Sequence, residues 1–317
     1  MGNHHMKTRL FYIDAIKAIA ILFMITIHIP QYCNLEYNFW GTIASVFCMP
    51  LFFTISGYCT NLETFKFYKL LRLLIPFFIF GILFTLYANK PISSFFTTMD
   101  KNGYWFLLLI VAFKFFIYII KLLKLNLHVG FILFEALFLC LYLISPKSIR
   151  YVLSINLCII YWPFIYFGLL LRRKQVFNVF IKQKTLPLFC FIVFSIIYIL
   201  SIKLNCSILN FFSYCYSISI IIFLMMLGVN IWDSRDAQNE LENIISIIGR
   251  NTLQIYVLHF FTLKLLNLPI LNGYFANHNT GIENFILTPI IAIIIAFICI
   301  IICKILYKIH LGFIFGR

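Results

Sequence analysis

The sequence predicts an all-α membrane protein, a polytopic bundle of about ten transmembrane helices with both termini in the cytoplasm. Hydrophobic residues make up 63% of the 317 residues and charged residues only 11%, against roughly 45 to 50% and about 25% in soluble domains. Apolar windows long enough to cross a bilayer recur along the chain. Lys and Arg collect in alternate connecting segments. Too little polar surface remains to cover a soluble globule.

Each predicted span is an apolar window with the length that a helix needs to cross the hydrocarbon core. The windows lie near residues 10–29, 40–58, 69–88, 103–120, 127–144, 151–171, 186–204, 211–232, 250–267 and 284–306. No repeat, low-complexity tract or break in composition separates them. We therefore expect residues 1–317 to form a single transmembrane domain.

The distribution of basic residues supports an even number of spans, because short cytoplasmic loops are enriched in Lys and Arg. With the N-terminus inside, the inner segments carry many basic residues, among them Lys7, Arg9, Lys66, Lys69, Arg72, Lys121, Lys124, Arg172, Arg173, Lys182, Arg250, Lys304 and Lys308. The clearly outer loops carry Lys90, Lys101, Lys147 and Arg150. The net charge of +15 therefore indicates topology and attraction to anionic lipid, not nucleic-acid binding.

The first span contains two basic residues, Lys17 and His28, and the acidic Asp14 in a stretch that is mostly apolar. Eleven helical residues make three turns plus about 20°, so both side chains project from one face about 16 Å apart along the axis. Asp14 and Met24 share that face. Ionisable groups at membrane depth usually mark a functional site. The alternative is that Lys17 pairs with Asp14 or reaches the interface, while His28 only marks the far end.

Two further features have structural interpretations. Lys114 and Glu135 are about equally far from the turn at 121–126, so antiparallel helices would bring them to the same depth as an ion pair. The ten cysteines include no C-x-x-C pair, and we expect no metal site. Cys33 and Cys206 both fall on the outer side and could form a disulfide in an oxidising compartment.

The pattern of the first span, Arg9-x4-Asp14-x2-Lys17-x2-Ala20-x7-His28, resembles the opening helix of the acyltransferase-3 family of bacterial integral membrane proteins, which O-acylate glycans. The chain departs from the usual pattern in having Lys where Arg is common and Ala18 where Gly is frequent. Lysine keeps the charge but lacks the planar bidentate fork of arginine, so recognition of a phosphate or carboxylate there should be less strict in geometry.

Four later segments are similar to other blocks of the same family, in the same order along the chain. They are Pro50–Tyr58 (PLFFTISGY), the basic stretch Lys66–Pro76, Tyr104–Leu107 (YWFL) and Gly249–His259 (GRNTLQIYVLH). Within the first of these, Ser56 and Gly57 indicate close helix packing, because small residues let helices approach.

The resemblance implies transfer of an acyl group, most often acetyl, from cytoplasmic acyl-CoA to a hydroxyl of a cell-surface glycan or its lipid-linked precursor, in the bacterial inner membrane. Neutral imidazole is suited to removing a hydroxyl proton, so we expect His28 to act as the general base. Asp14 and Lys17 would complete an inner polar site. A covalent acyl-histidine on His28 is an alternative that the sequence leaves open.

Three basic residues are candidates for binding the phosphates of the acyl-CoA: Lys69 and Arg72 at the inner end of the third span, and Arg250 at the inner end of the ninth. Basic groups at these positions would face the compartment that supplies acyl-CoA. The alternative for the first two is anchoring of the helix by the positive-inside rule, and for Arg250 binding of a lipid headgroup.

Three other residues are candidates on the acceptor side. Tyr104 and Trp105 open the fourth span at the outer interface, where aromatic rings either bind sugar faces or form the interfacial belt of a membrane protein. His259 lies near the middle of the ninth span, two turns after Thr252 on the same face, and would line the reaction cavity or satisfy another polar group in the bundle.

Two other classes of function compete with acyl transfer. A transporter or flippase could move a lipid-linked or small anionic substrate past Lys17, His28 and His259, although the halves show no inverted repeat. A structural subunit of a glycan-assembly complex would tolerate loss of His28. For the leading interpretation we expect acyl-CoA, a saccharide acceptor and membrane lipid as partners, and no nucleic acid.

Overall fold

A computed structural model describes residues 11–33, 39–64, 67–173, 185–203, 209–232, 239–266 and 281–316. These residues are almost entirely helical, and no strand occurs among them. The α-helices, numbered α1 to α15 along the described chain, are Phe11–His28, Pro30–Cys33, Phe39–Tyr58, Tyr68–Leu71, Leu74–Tyr87, Ile92–Thr97, Trp105–Leu122, Leu127–Ile144, Lys147–Val152, Ile155–Leu171, Thr185–Lys203, Leu209–Trp232, Glu240–Arg250, Thr252–Leu266 and Gly281–Lys308.

A helix lies at each of the ten predicted positions, and the prediction of an all-α membrane protein is confirmed. Among the described residues, six helices are long and apolar enough to cross a membrane: Phe11–His28, Phe39–Tyr58, Trp105–Leu122, Leu127–Ile144, Tyr214–Trp232 and Phe285–Lys308. A seventh is added if Glu240–Arg250 and Thr252–Leu265 form one broken span. Ten crossings and cytoplasmic termini therefore stay predictions, as does the single domain.

The third predicted span is interrupted, with a break between Leu71 and Leu74. Proline at position 76 explains the break, because it has no N–H to donate to the carbonyl of Arg72 four residues earlier. What remains is a helix of 14 residues, Leu74–Tyr87. Arg72 itself lies in the break and is exposed to solvent.

The sixth predicted span, near 151–171, is also shorter than expected. Ser154 adopts a left-handed conformation with φ of 51°, which an α-helix cannot contain. Its hydroxyl donates to the carbonyl of Met99 at 2.8 Å. The chain therefore forms a short helix, Lys147–Val152, and a separate one, Ile155–Leu171.

The ninth predicted span is not one straight helix, because Asn251 separates α13 from α14. The side-chain amide of Asn251 donates to the carbonyl of Ile247 at 2.8 Å, and so caps the end of α13. Arg250 is the last residue of α13, and Thr252 is the first of α14. Arg250 and His259, both within the ninth predicted span, therefore lie on different helices.

The chain forms two compact units, each built from three segments. The first unit consists of Met1–Leu51, Gln175–Thr252 and Gly273–Phe297. The second consists of Phe52–Lys174, Leu253–Asn272 and Ile298–Arg317.

In the first unit, α1 is the most buried helix and packs against α12 and α13. Phe11 at its start meets Trp232 of α12 edge to face, with ring centroids 5.5 Å apart. Two glycines permit the close approach. A Cβ added at Gly228 of α12 would lie 3.0 Å from the side chain of Ile16, and one added at Gly249 of α13 would overlap the backbone of Asp14.

In the second unit, the end of α3 crosses α10 at two glycines and packs on aromatic rings. A Cβ at Gly57 would overlap the carbonyl of Ile165, and one at Gly168 would overlap that of Thr54. The predicted packing role of Gly57 is thus confirmed. Phe53, which is fully buried, is surrounded by the rings of Trp105, Phe106, Phe113 and Tyr161.

Two structural predictions remain open. Lys114 lies in α7 and Glu135 in α8, both partly buried, and their pairing stays a prediction. The disulfide between Cys33 and Cys206 also stays a prediction, because Cys206 lies outside the described residues.

Candidate active site

The helix α1 carries the central residues of the predicted site and runs without a break from Phe11 to His28. Because it is continuous, the helical geometry expected from the sequence applies, and Lys17 and His28 project from one face about 16 Å apart. Met24, between them on that face, is 2% exposed. His28 is the last residue of the helix and is partly buried. The chain turns at Ile29 before Pro30 begins α2.

Asp14 is buried at the other end of α1 and lies close to two basic side chains. Its exposed fraction is 1%. The Lys17 Nζ lies 3.7 Å from Asp14 Oδ1, and the Arg250 Nε lies 3.5 Å from Asp14 Oδ2. The structure therefore brings together three of the predicted site residues in a charged cluster, one of them from a distant part of the sequence.

The sequence of α13 explains how Arg250 reaches Asp14. The side chain of Asn239 caps the start of this helix by accepting a hydrogen bond from the N–H of Glu242 at 2.9 Å. At the other end, Gly249 lets the helix backbone touch the backbone of Asp14. The next residue, Arg250, is thereby held beside the Asp14 carboxylate. Sequence reasoning missed this contact, although the glycine before Arg250 was a signal of close packing.

Tyr32 follows His28 by four residues and lies in the short helix Pro30–Cys33. Burial raises the pKa of the Tyr32 phenol above its ordinary value. The phenol therefore stays neutral through the physiological range.

An apolar cleft of about 250 Å³ lies on another side of α1. Its lining comprises Leu22, Phe23, Thr26, Trp40, Pro289, Ala292 and Ile293. Thr26 precedes His28 by two residues, which rotates the two side chains about 200° apart on the helix. The Thr26 hydroxyl donates to the carbonyl of Phe23 at 2.7 Å. The cleft thus offers no charged group to a phosphate and little to a sugar hydroxyl.

Tyr104 and His259, two of the predicted acceptor-side residues, lie in a buried aromatic cluster of the second unit. The Tyr104 hydroxyl donates to the carbonyl of Val257 at 2.8 Å, and the Tyr256 hydroxyl donates to the carbonyl of Gly103 at 2.7 Å. These two hydrogen bonds tie the start of α7 to α14. Tyr104 and His259 are fully buried, and contact with an acceptor stays a prediction for both.

The protonation pattern of the His259 ring follows from its contact with the backbone. The His259 Nδ1 lies 2.6 Å from the carbonyl oxygen of Tyr256. A carbonyl can only accept, so Nδ1 carries the proton and Nε2 is the basic nitrogen of the neutral ring. The ring also packs on Phe260, with centroids 4.0 Å apart.

Trp105 lies at the start of α7 and is partly buried. Its ring stacks on Tyr161, with centroids 5.0 Å apart and an interplanar angle of 26°. Phe53 packs beside both rings. Binding of a sugar by Trp105 stays a prediction, and Tyr161 is an aromatic partner that sequence reasoning missed.

The two predicted phosphate-binding residues of the third span are Lys69, in α4, and Arg72, in the break that follows it. Arg72 is exposed, and a Cβ at Gly316 would overlap its carbonyl, so the C-terminal turn packs on its backbone. The side chain of Lys69 lies outside the described residues. Cofactor binding by either residue stays a prediction.

Lys101 was interpreted from the sequence only as a basic residue of an outer loop, yet it is 3% exposed. Its ammonium donates to the carbonyls of Phe96 at 2.8 Å, Thr98 at 2.8 Å and Tyr151 at 3.1 Å. Burial lowers the pKa of Lys101 to about 8, with the charge of Asp100 acting in the opposite direction. Lys101 thus connects its own turn to the end of α6 and to α9 in the second unit.

The helices and the buried charges together define a class, that of multi-pass helical membrane proteins with ionisable groups placed inside the bundle. The family model of the acyltransferase-3 domain, described as an acyltransferase domain, matches residues 10–308. The chain therefore belongs to the acyltransferase-3 family and is a membrane acyltransferase. It matches no curated protein sequence and no solved structure.

Proposed function

We propose that the protein transfers an acyl group, most often acetyl, from cytoplasmic acyl-CoA to a hydroxyl of a cell-surface glycan or its lipid-linked precursor, in the bacterial inner membrane. The observation that carries the proposal is the arrangement along α1. A charged cluster around Asp14 lies at one end and His28 at the other, on a chain of the acyltransferase-3 family.

In this proposal, the phosphates of acyl-CoA bind near Lys17 and Arg250, and the thioester lies near His28. The separation of about 16 Å along the helix suits a donor whose phosphates and thioester are joined by a long, flexible arm. Arg72 and Lys69 are further candidates for the phosphates. Trp105, Tyr104 and His259 are candidates for the acceptor side.

His28 acts as the general base in the chemical step. Its neutral imidazole takes the proton from the acceptor hydroxyl, and the oxygen attacks the thioester carbonyl carbon. The carbon–sulfur bond then breaks, and the imidazolium returns the proton to the departing thiolate of CoA. The products are an acyl ester and free CoA. An acyl-histidine route would instead form a covalent intermediate, which burst kinetics would detect.

The test is the amount of alkali-releasable acyl ester on surface glycans and lipid-linked intermediates. A deletion strain is complemented with the wild type, with His28→Ala, or with His128→Ala at equal expression. His128 is a matched control because it is exposed near an end of α8 and contacts Tyr166. We expect His28→Ala to reduce ester by about 10² to 10⁴-fold and His128→Ala to retain it.

Equal ester with wild type and His28→Ala would remove His28 from catalysis. Absence of ester with the wild type would contradict acyl transfer altogether. A substrate that crosses the membrane chemically unchanged would then support the transporter interpretation.

A further inference from the structure

We propose that Asp14 is a positioning residue that gathers Lys17 and Arg250 into one binding site for the phosphate groups of the acyl donor. This inference rests on the proposed function and assigns Asp14 a role in binding the donor. Three observations support it: the two ion pairs, the exposure of the groups involved, and the fit of Gly249.

The ion pairs engage both oxygens of the Asp14 carboxylate. Lys17 Nζ lies 3.7 Å from Oδ1, and Arg250 Nε lies 3.5 Å from Oδ2. Each oxygen of the carboxylate thus has one cation nearby. The same arrangement suits a group that fixes the positions of two cations.

The exposures show which charges a ligand can reach. The side chain of Asp14 is 2% exposed, whereas those of Lys17 and Arg250 are 25% and 54% exposed. One buried negative charge and two accessible positive charges leave an excess of one positive charge at the surface of the cluster. An anion approaching this surface meets the cations before it meets the carboxylate.

The geometry of Arg250 leaves donors for a ligand. Its contact with Asp14 is made through Nε, the guanidinium nitrogen closest to the backbone. The terminal nitrogens at the other end of the fork match the bidentate geometry of a phosphate. A side chain already held in place loses less conformational freedom when it binds a ligand.

Gly249 makes this arrangement possible without any charge of its own. A Cβ at this position would overlap the Asp14 carbonyl, so a larger residue would push α13 away from α1. Arg250 would move with α13, and its distance from Asp14 would increase. The position of the arginine therefore depends on the backbone contact and on the ion pair together.

The test is a double-mutant cycle on the binding of coenzyme A to the full-length protein in lipid nanodiscs, by isothermal titration calorimetry. We expect Asp14→Asn and Arg250→Gln each to raise the Kd about tenfold, a change of about 1.4 kcal/mol. The double variant should bind about as weakly as either single variant, because both changes remove the same arrangement. Thermal unfolding is measured in parallel.

Glu242→Gln is the matched control. Glu242 is another buried carboxylate and lies on α13, and its Oε1 accepts a hydrogen bond from Trp232 Nε1 at 3.2 Å. Glutamine retains an oxygen that can accept this bond. The control variant should bind coenzyme A as the wild type does.

A rescue experiment separates positioning from a purely structural role. We expect ethylguanidinium to restore coenzyme A binding to Arg250→Ala, because the added cation can occupy the place beside Asp14. It should not restore binding to Asp14→Asn/Arg250→Ala. Arg250 is more than half exposed, so Arg250→Ala should fold even if Asp14→Asn does not.

Independent tenfold effects that multiply in the double variant, a Kd unchanged by Asp14→Asn, or failure of ethylguanidinium to rescue Arg250→Ala would each overturn the inference. A wild-type protein that binds coenzyme A but shows one of these outcomes would contradict only the role of Asp14. A wild-type protein that neither binds coenzyme A nor transfers an acyl group would contradict the proposed function itself.

Discussion

Lysine side chains are held in different ways in the two units of the molecule. Lys17 in the first unit pairs with the carboxylate of Asp14 and remains 25% exposed. Lys101 in the second unit is 3% exposed and donates to three backbone carbonyls. A charge that is paired with another charge at an accessible position can still meet a ligand. A charge enclosed by carbonyls mainly stabilises the fold.

Replacing each lysine by an uncharged residue tests this difference most directly. We expect Lys101→Met to lower the free energy of unfolding by about 3 kcal/mol, because three carbonyls lose a donor and an unsatisfied buried group costs about 1 to 3 kcal/mol. Lys17→Met should cost less than about 1 kcal/mol, as partly exposed ion pairs do. Unfolding in increasing denaturing detergent measures both.

The loss of activity should rank the two variants in the opposite order to the loss of stability. We expect Lys17→Met to impair acyl transfer and Lys101→Met to retain it in the fraction that folds. Similar stability losses in the two variants, or loss of activity per folded molecule in Lys101→Met, would contradict the distinction between the two lysines.

Packing provides a second comparison, between glycines that meet a backbone and glycines that meet a side chain. Gly168→Ala places a methyl group in the carbonyl of Thr54, whereas the same change at Gly228 places it 3.0 Å from the end of the Ile16 side chain. We expect a cost of about 2 to 3 kcal/mol for Gly168→Ala and less than about 1 kcal/mol for Gly228→Ala. Equal thermal shifts of the two variants would argue against a rigid crossing at Gly168.

A smaller effect than those of Lys101→Met and Gly168→Ala concerns the two tyrosine hydrogen bonds of the second unit. Tyr104→Phe and Tyr256→Phe each remove one hydroxyl that donates to a backbone carbonyl, Val257 and Gly103 respectively. We expect each to cost about 1 kcal/mol. The double variant should depart from the sum, because both bonds join the same two segments. Strict additivity in chemical unfolding would show that the two bonds act separately.

The fold was largely predictable because membrane-spanning helices are determined by local properties of the sequence. Window length and hydropathy placed a helix at every expected position. The break before Leu74 also has a local cause in Pro76. The left-handed residue Ser154 has no such signal, because serine occurs readily within helices, and its hydrogen bond to Met99 depends on a segment that is distant in sequence.

The candidate site was predictable only in part, because only some of its contacts follow from local sequence. The relation of Lys17 to His28 follows from helix geometry alone. The pairing of Asp14 with Arg250 joins residues on different helices that are far apart in the chain, and no periodicity encodes it. The burial of Lys101 was not predicted, because a basic residue indicates the side of the membrane but does not reveal that its amine is enclosed.

The break at Asn251 has a consequence for how the segment Gly249–His259 can vary. A single continuous helix would couple its two ends, since inserting one residue rotates everything beyond it by about 100°. With a separate helix on each side of Asn251, a change of register in one part need not rotate the other. The segment Gly249–His259, which resembles one sequence motif, thus spans two helices, one that ends at Arg250 and one that carries His259.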